Sequence, residues 1–198
     1  MKAISGFEYR SLPMAATRYA AVCVTAAGLM ALSARASFHL PFTPVPVTMQ
    51  VFTALLCGLV LGSRLGAASQ MLYVAAGAAG LPVFADGKGT AAVLGPTGGY
   101  IVGFIAAAFL AGLIAERLSS RPTLGASLGA AAGVVVIYLC GASWLAVWLA
   151  AVGERVTIGS AWLLGTAPFL GVDCLKAIAA AAIATGGLTQ RLKPRATI

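Results

Sequence analysis

The chain has 198 residues, of which 60% are hydrophobic and 9% charged, with a formal net charge of +8. Soluble domains carry about 25% charged residues, so the polar groups needed to coat a water-facing globule are missing and the composition points to an all-α polytopic membrane protein. Long unbroken runs of Ala, Leu, Val and Gly exclude a membrane β-barrel, which needs alternating segments of about ten residues. The positive charges lie in short loops and at the ends without forming a stripe, which argues against nucleic acid as a partner.

Six apolar segments follow in chain order, predicting six transmembrane helices in one bundle. The first covers about residues 15–36. It ends at Ala34-Arg-Ala36, which also resembles a small-residue cleavage site, so a removable signal peptide is the alternative; the length of the run favours an intact helix. The second, about 47–62, and the third, about 65–80, are short for a perpendicular crossing. The fourth covers about 98–115, the fifth about 124–152, long enough to tilt, and the sixth about 168–188, with Pro168 at the helix start. Between the last two, 157–166 is too short to span and reads as a loop or an interfacial helix. Residues 1–198 are thus expected to form one membrane domain, with about 1–14 as a cytoplasmic tail and about 15–190 as the bundle.

Six crossings put both termini on one side. That side holds nine basic residues (Lys2, Arg10, Arg18, Arg64, Arg117, Arg121, Arg191, Lys193 and Arg195), whereas the other holds three (Arg35, Lys88 and Arg155). The positive-inside rule then places both termini in the cytoplasm of a bacterial inner-membrane protein. Gly58 and Gly62, Gly99 and Gly103, and Gly125, Gly129 and Gly133 recur at the four-residue spacing that lets helices approach closely, and Ala27 and Ala31 make a similar face on the first span. Cys23, Cys57, Cys140 and Cys174 fall in apolar runs with no CxxC spacing and read as small buried hydrophobes.

Two connections carry more than linker composition. Residues 38–50 hold Pro41, Pro44 and Pro46, which exclude helix and favour an extended, stiff chain. Gln50 follows just inside the next span, where an amide either bonds a neighbouring helix or faces a ligand. The second connection, 81–100, is glycine-rich yet carries Phe84, Val93 and Leu94, as expected of a lid folded back onto the bundle. Tyr100 opens the fourth span, either as an aromatic-belt residue or as a cavity wall.

Motifs for chemistry fail. Asp86-Gly-Lys-Gly-Thr90 resembles the end of a phosphate-binding loop, but the first glycine of that motif would fall at Pro82. Gly125-Ala-Ser127-Leu-Gly129 matches GxSxG literally, yet lies in a predicted membrane helix, and the one histidine, His39, is upstream and reads as solvated. An enzyme is not expected, nor a metal centre or cofactor.

Asp173 and Lys176 are the strongest functional signal. Each costs about 2.5–3.5 kcal/mol at the centre of a membrane helix, and an i, i+3 spacing puts both on one helix face. That face must look at protein, water or ligand. With the two connections on the same side, these residues are expected to converge on one outward-facing cavity with apolar walls and a few fixed polar groups.

The ordered set Pro44-Val-Pro-Val-Thr-Met-Gln50, Leu61-Gly-Ser-Arg-Leu-Gly66, Tyr73 through Gly80-Leu-Pro-Val-Phe84-Ala, Gly95-Pro-Thr-Gly-Gly-Tyr100, and Phe169 through Asp173-Cys-Leu-Lys176 resembles the BioY family. These are the biotin-binding S components of energy-coupling-factor vitamin transporters. The likeness covers about residues 15–190. It implies a six-helix bundle that captures biotin from outside, as a transported substrate, and works with a transmembrane coupling subunit and two ATPase subunits. It further implies substrate contacts at Asp173, Lys176, Gln50, Tyr100, Phe84 and Thr97, and coupling-subunit contacts at Ala27 and Ala31. Where the family commonly carries Pro-Gly before the aspartate, this chain has Gly171-Val172, which bears on how the helix presents Asp173. Asp173 can accept from the ureido N–H groups, Lys176 can donate to the carbonyl or meet the carboxylate, Gln50 and Tyr100 can add polar contacts, and Phe84, Val93 and Leu94 can seal the apolar part. Two other readings stand beside this one: a solitary biotin facilitator, or an S component for another vitamin, with Trp144 and Trp148 stacking on a flat ligand.

Overall fold

Helices form over each apolar run in the computed structural model, which describes residues 11–154 and 156–191. They are α1 (Ser11–Arg35), α2 (Gln50–Leu61), α3 (Ser63–Ala78), α4 (Thr90–Leu94), α5 (Gly98–Arg117), α6 (Pro122–Ala151), α7 (Ile158–Thr166) and α8 (Leu170–Arg191). Lys2, Arg10, Arg155, Lys193 and Arg195, which enter the charge count, lie outside the described residues, as does most of the 1–14 tail. α5 packs along α6 at the centre; α2 and α3 lie against α5, α8 against α6 and α2, α1 against α3, and α7 against α6.

This is a mostly helical membrane protein. Ala16–Arg35, Gly98–Arg117 and Pro122–Ala151 are long and apolar enough to cross a bilayer, and Ile158–Thr166 with Leu170–Gly186 form a fourth crossing if taken as one element bent by 48°. The 12 residues of α2 rise about 18 Å, short of the ~30 Å hydrocarbon core. Next in the chain, α3 has 16 residues and carries the buried Ser69 and Gln70.

Close backbone approach holds the helices together. A Cβ on Gly129 would lie 2.5 Å from the Ala111 carbonyl oxygen, and one on Gly112 would lie 2.5 Å from the Ser63 nitrogen. Gly58 meets the Ala108 backbone and Gly99 meets the Cys140 carbonyl and Trp144 Cβ, both too closely for a side chain, while Gly133 makes room for the Leu55 side chain. Gly62 departs from the packing expectation: with φ 85° it is the break between α2 and α3. Glu116 pins that break, accepting from the Ser63 N–H at 2.7 Å and from its hydroxyl at 2.9 Å.

The connections differ from expectation in detail. The proline-rich segment is helix-free but doubles back, with β1 (Ser37–Phe38) pairing antiparallel to β2 (Val47–Thr48). Its tip docks on α7, where the Thr43 hydroxyl donates to the Leu164 carbonyl at 3.1 Å. Residues 157–166 resolve as helix, capped by Thr157, whose hydroxyl oxygen accepts from the Ser160 N–H at 3.2 Å. Pro168 falls in the α7–α8 bend rather than at the start of α8, because the Phe169 N–H closes a turn onto Thr166 before α8 begins. The cysteines are not uniformly buried: Cys57 is, Cys23 and Cys140 are half-buried, and Cys174 is exposed on the outside of α8, where lipid can cover it.

Candidate functional site

Asp173 sits in the first turn of α8, where the helix dipole favours a carboxylate. Gly171 and Val172 are both exposed, so they leave Asp173 facing inward, 4% accessible, with Lys176 beside it at 7%. The Lys176 ammonium donates to Asp173 Oδ1 at 2.7 Å and to the Thr48 carbonyl of β2 at 2.6 Å. The Tyr138 hydroxyl, from α6, donates to Asp173 Oδ2 at 2.9 Å. Each charge is therefore satisfied before any ligand arrives. Capacity remains, because an ammonium has three donors and a carboxylate about four acceptor positions.

These groups line a cavity closed by the β1–β2 hairpin on one side and residues 84–97 on the other. Its walls are mostly apolar: Val45, Val47 and Val51 from the hairpin and α2, Ile101 and Phe104 from α5, Ile137 from α6 and Phe169 before α8. Gln50, Phe84, Thr97 and Tyr100 line it too, so the structure brings together Asp173, Lys176 and the four other residues named from the sequence.

Their roles are not equal. Gln50 bonds a neighbouring helix and also borders the cavity. Its amide nitrogen donates to the Tyr73 hydroxyl on α3 at 2.8 Å, and its residue borders the cavity, leaving the amide oxygen as an acceptor. Phe84 is 1% accessible and stands edge-on to Tyr73, with ring centroids 5.2 Å apart. Tyr100 is buried and forms cavity wall, not aromatic belt. Its hydroxyl donates to the Gly165 carbonyl at 2.7 Å, so its polar end fastens α5 to α7 instead of reaching into the cavity. The Thr97 hydroxyl donates to the Ala92 carbonyl at 3.1 Å.

Two expected lid residues lie elsewhere. Leu94 is 67% accessible and Val93 packs on the core; neither lines the cavity, because residues 90–94 coil into α4, which buries Ala92 and sets Ala91 at the cavity's edge instead. Trp144 and Trp148 are also absent from the lining, and the Trp144 indole N–H donates to the Gly95 carbonyl at 2.8 Å. Ala27 and Ala31 are half-buried on α1, packed at the margin of the core beside the exposed Val24 and Leu32.

Sequence reasoning missed four groups. Tyr138 is the most important, and its signal was a phenol in mid-span, which needs an acceptor. The others are Asp86, Lys88 and His39 at the cavity's rim, where Asp86 Oδ2 lies 3.2 Å from His39 Nε2 and 3.3 Å from Lys88 Nζ. His39 is half-exposed but paired, not simply solvated.

The architecture defines the class: a helical membrane protein with an ion pair walled inside a small-molecule cavity. The family profile described as BioY matches residues 7–193, and the chain belongs to the BioY family. A Pyrococcus horikoshii relative, also named BioY, is 40% identical over 77% of this chain and 86% of its own length. The Biotin transporter BioY of Thermotoga maritima is 42% identical over 73% of this chain and 82% of its own. That of Rhizobium etli is 35% identical over 79% and 84%. A solved structure of the S-component for biotin from an ECF-type ABC transporter superposes with a TM-score of 0.77, covering 95% of this chain and 96% of that one, at 23% identity; at that identity the likeness is one of fold.

Proposed function

We propose that this chain captures biotin in the cavity and serves as the substrate-binding subunit of an energy-coupled importer. The observation that carries the reading is the buried Asp173–Lys176 pair at 2.7 Å, lining the same cavity as Gln50. A ureido ring offers two N–H donors and one carbonyl acceptor. Asp173 and the Gln50 oxygen are the matching acceptors, and the third hydrogen of the Lys176 ammonium is the matching donor. Charge-assisted hydrogen bonds in a dry site are about twice as strong as neutral ones. The thioether ring and aliphatic tail then meet the valine, isoleucine and phenylalanine walls. Relatives that carry biotin-transporter names over most of this chain support the same ligand.

In this reading six elements cross the membrane: α1, α2, α3, α5, α6 and the bent α7–α8 pair. Both termini are cytoplasmic in a bacterial inner membrane, as the excess of basic residues on that side supports. Uptake against a gradient needs energy, which a transmembrane coupling subunit and two ATPase subunits would supply. The exposed side of α1, flanked by Ala27 and Ala31, is the proposed contact with the coupling subunit.

A thermal-shift panel of vitamins on the detergent-solubilised protein tests the ligand, since binding to the folded state raises the melting temperature. Biotin is expected to raise it while thiamine and riboflavin do not. A shift with one of those and none with biotin would overturn the assignment.

A further inference from the structure

A second concavity lies on the membrane side of the bundle, between α6 and α8, and encloses about 620 Å³. We propose that it binds one anionic phospholipid, with an acyl chain along the groove and the headgroup at Arg121. The proposal is independent of what the inner cavity binds.

The groove is graded along its length. Thr123, Ser127 and Thr185 lie at one end, and from there inward the walls are apolar, including Ala131, Val134, Val135 and Ile178. It stops at Leu170 and Tyr138, although α6 continues to Ala151, because beyond the 48° bend α7 packs against α6. From Thr123 to Tyr138 the helix rises about 22 Å at 1.5 Å per residue. That is close to one leaflet of a bilayer whose full thickness with headgroups is about 40–45 Å. A helix from another subunit that crossed the whole membrane would need a track along all of α6, whereas one acyl chain needs a single leaflet.

Charge sets the headgroup. Arg121 is exposed, lies two residues before Thr123 at the polar end, and has no ion-pair partner among the described residues. Arg117, also exposed, ends α5 at the same end. The nearby acid, Glu116, is turned to the Ser63 N–H and hydroxyl. An anionic phosphate therefore meets uncompensated positive charge, while a zwitterionic headgroup gains less.

Cys174 is exposed and lines the inner end of the groove, so it reports occupancy. The test uses the full chain in detergent with Cys23→Ser and Cys140→Ser, which leave the buried Cys57 as the other thiol. Maleimide labelling of Cys174 is followed while phosphatidylglycerol or phosphatidylcholine of the same acyl chains is added, and bound lipid is counted by native mass spectrometry. Phosphatidylglycerol is expected to slow labelling at least fivefold and to leave one bound lipid, with phosphatidylcholine needing about tenfold more for the same protection. Arg121→Gln should bring phosphatidylglycerol down to the phosphatidylcholine level. Ala131→Phe and Ala182→Phe, at exposed wall positions, should remove the bound lipid from the mass spectrum while the melting temperature stays near that of the parent. Equal effects of the two lipids, no protection by either, or a co-purifying polypeptide that cross-links to Cys174 would each overturn the proposal. Biotin titration of the same samples reads the inner cavity separately, so failure of one assignment does not carry over to the other.

Discussion

At the end of the bundle where α2 turns into α3, helices meet backbone to backbone: Gly58 lies on Ala108, Gly129 on Ala111, and Gly112 on the Gly62–Ser63 turn. At the end closed by the hairpin and α4, α5 and α6 still meet closely at Gly99, but α2, α5, α6 and α8 turn Gln50, Tyr100, Tyr138, Asp173 and Lys176 toward one another, and the cavity lies between them. The first region has almost no side chains to adjust, so it fixes helix spacing. The second uses that spacing to hold polar groups within a membrane protein, where each must be bonded to something. Tyr138 to Asp173, Lys176 to Thr48 and Gln50 to Tyr73 meet that demand from five different elements. A rigid base and a polar, bonded mouth are thus complementary parts of one device.

The largest expected effect breaks the base. Gly58→Val puts a branched side chain onto the Ala108 backbone, which has no flexible end to move aside. Overpacking against side chains that can move costs about 1–3 kcal/mol; here the obstacle is backbone and the two helices must separate, so loss of monodisperse folded protein by size exclusion is expected. Gly28→Ala is the control, because nothing lies within 4 Å of the added methyl; it should melt with the parent. Equal behaviour of the two variants would show that the glycine contacts do not fix the frame.

Next comes the ion pair as a structural element. Lys176→Met leaves the Asp173 carboxylate buried with Tyr138 alone, a loss of about 3–5 kcal/mol that a thermal melt will show. Adding Asp173→Asn to it removes the stranded charge and should return most of the stability without returning ligand binding. A double variant no more stable than the single one would mean that the pair contributes more to the fold than the separation of the two regions allows.

The smallest effect belongs to Gln50→Leu. It removes one cavity acceptor and the donor to Tyr73, whose hydroxyl keeps the Val83 carbonyl at 3.3 Å. A fall in biotin affinity of about tenfold or less, from titration calorimetry, is expected. No change at all would take Gln50 out of the ligand contacts.

The sequence revealed these two regions unequally. Asp173 and Lys176 stood out because two charges one turn apart in an apolar run have few acceptable surroundings. The glycine spacing was readable for the same kind of reason, since a four-residue repeat of small side chains has one packing meaning. Tyr138 was not legible: a single phenol in a long apolar helix can serve as a belt residue, a core residue or a donor, and the choice is made by α8, 35 residues away. Leu94 was misplaced because α4 rotates its face outward within a segment that composition marks only as glycine-rich. Gly62 shares the spacing of its neighbours but not their conformation, which only the turn between α2 and α3 reveals.

The central claim is that biotin binds on Asp173 and Lys176. Titration calorimetry of biotin into the purified wild-type chain and into Asp173→Asn and Lys176→Ala, each shown by its melt to be folded, tests it directly. The account predicts at least a tenfold loss of affinity in both variants. Wild-type affinity in both would contradict it.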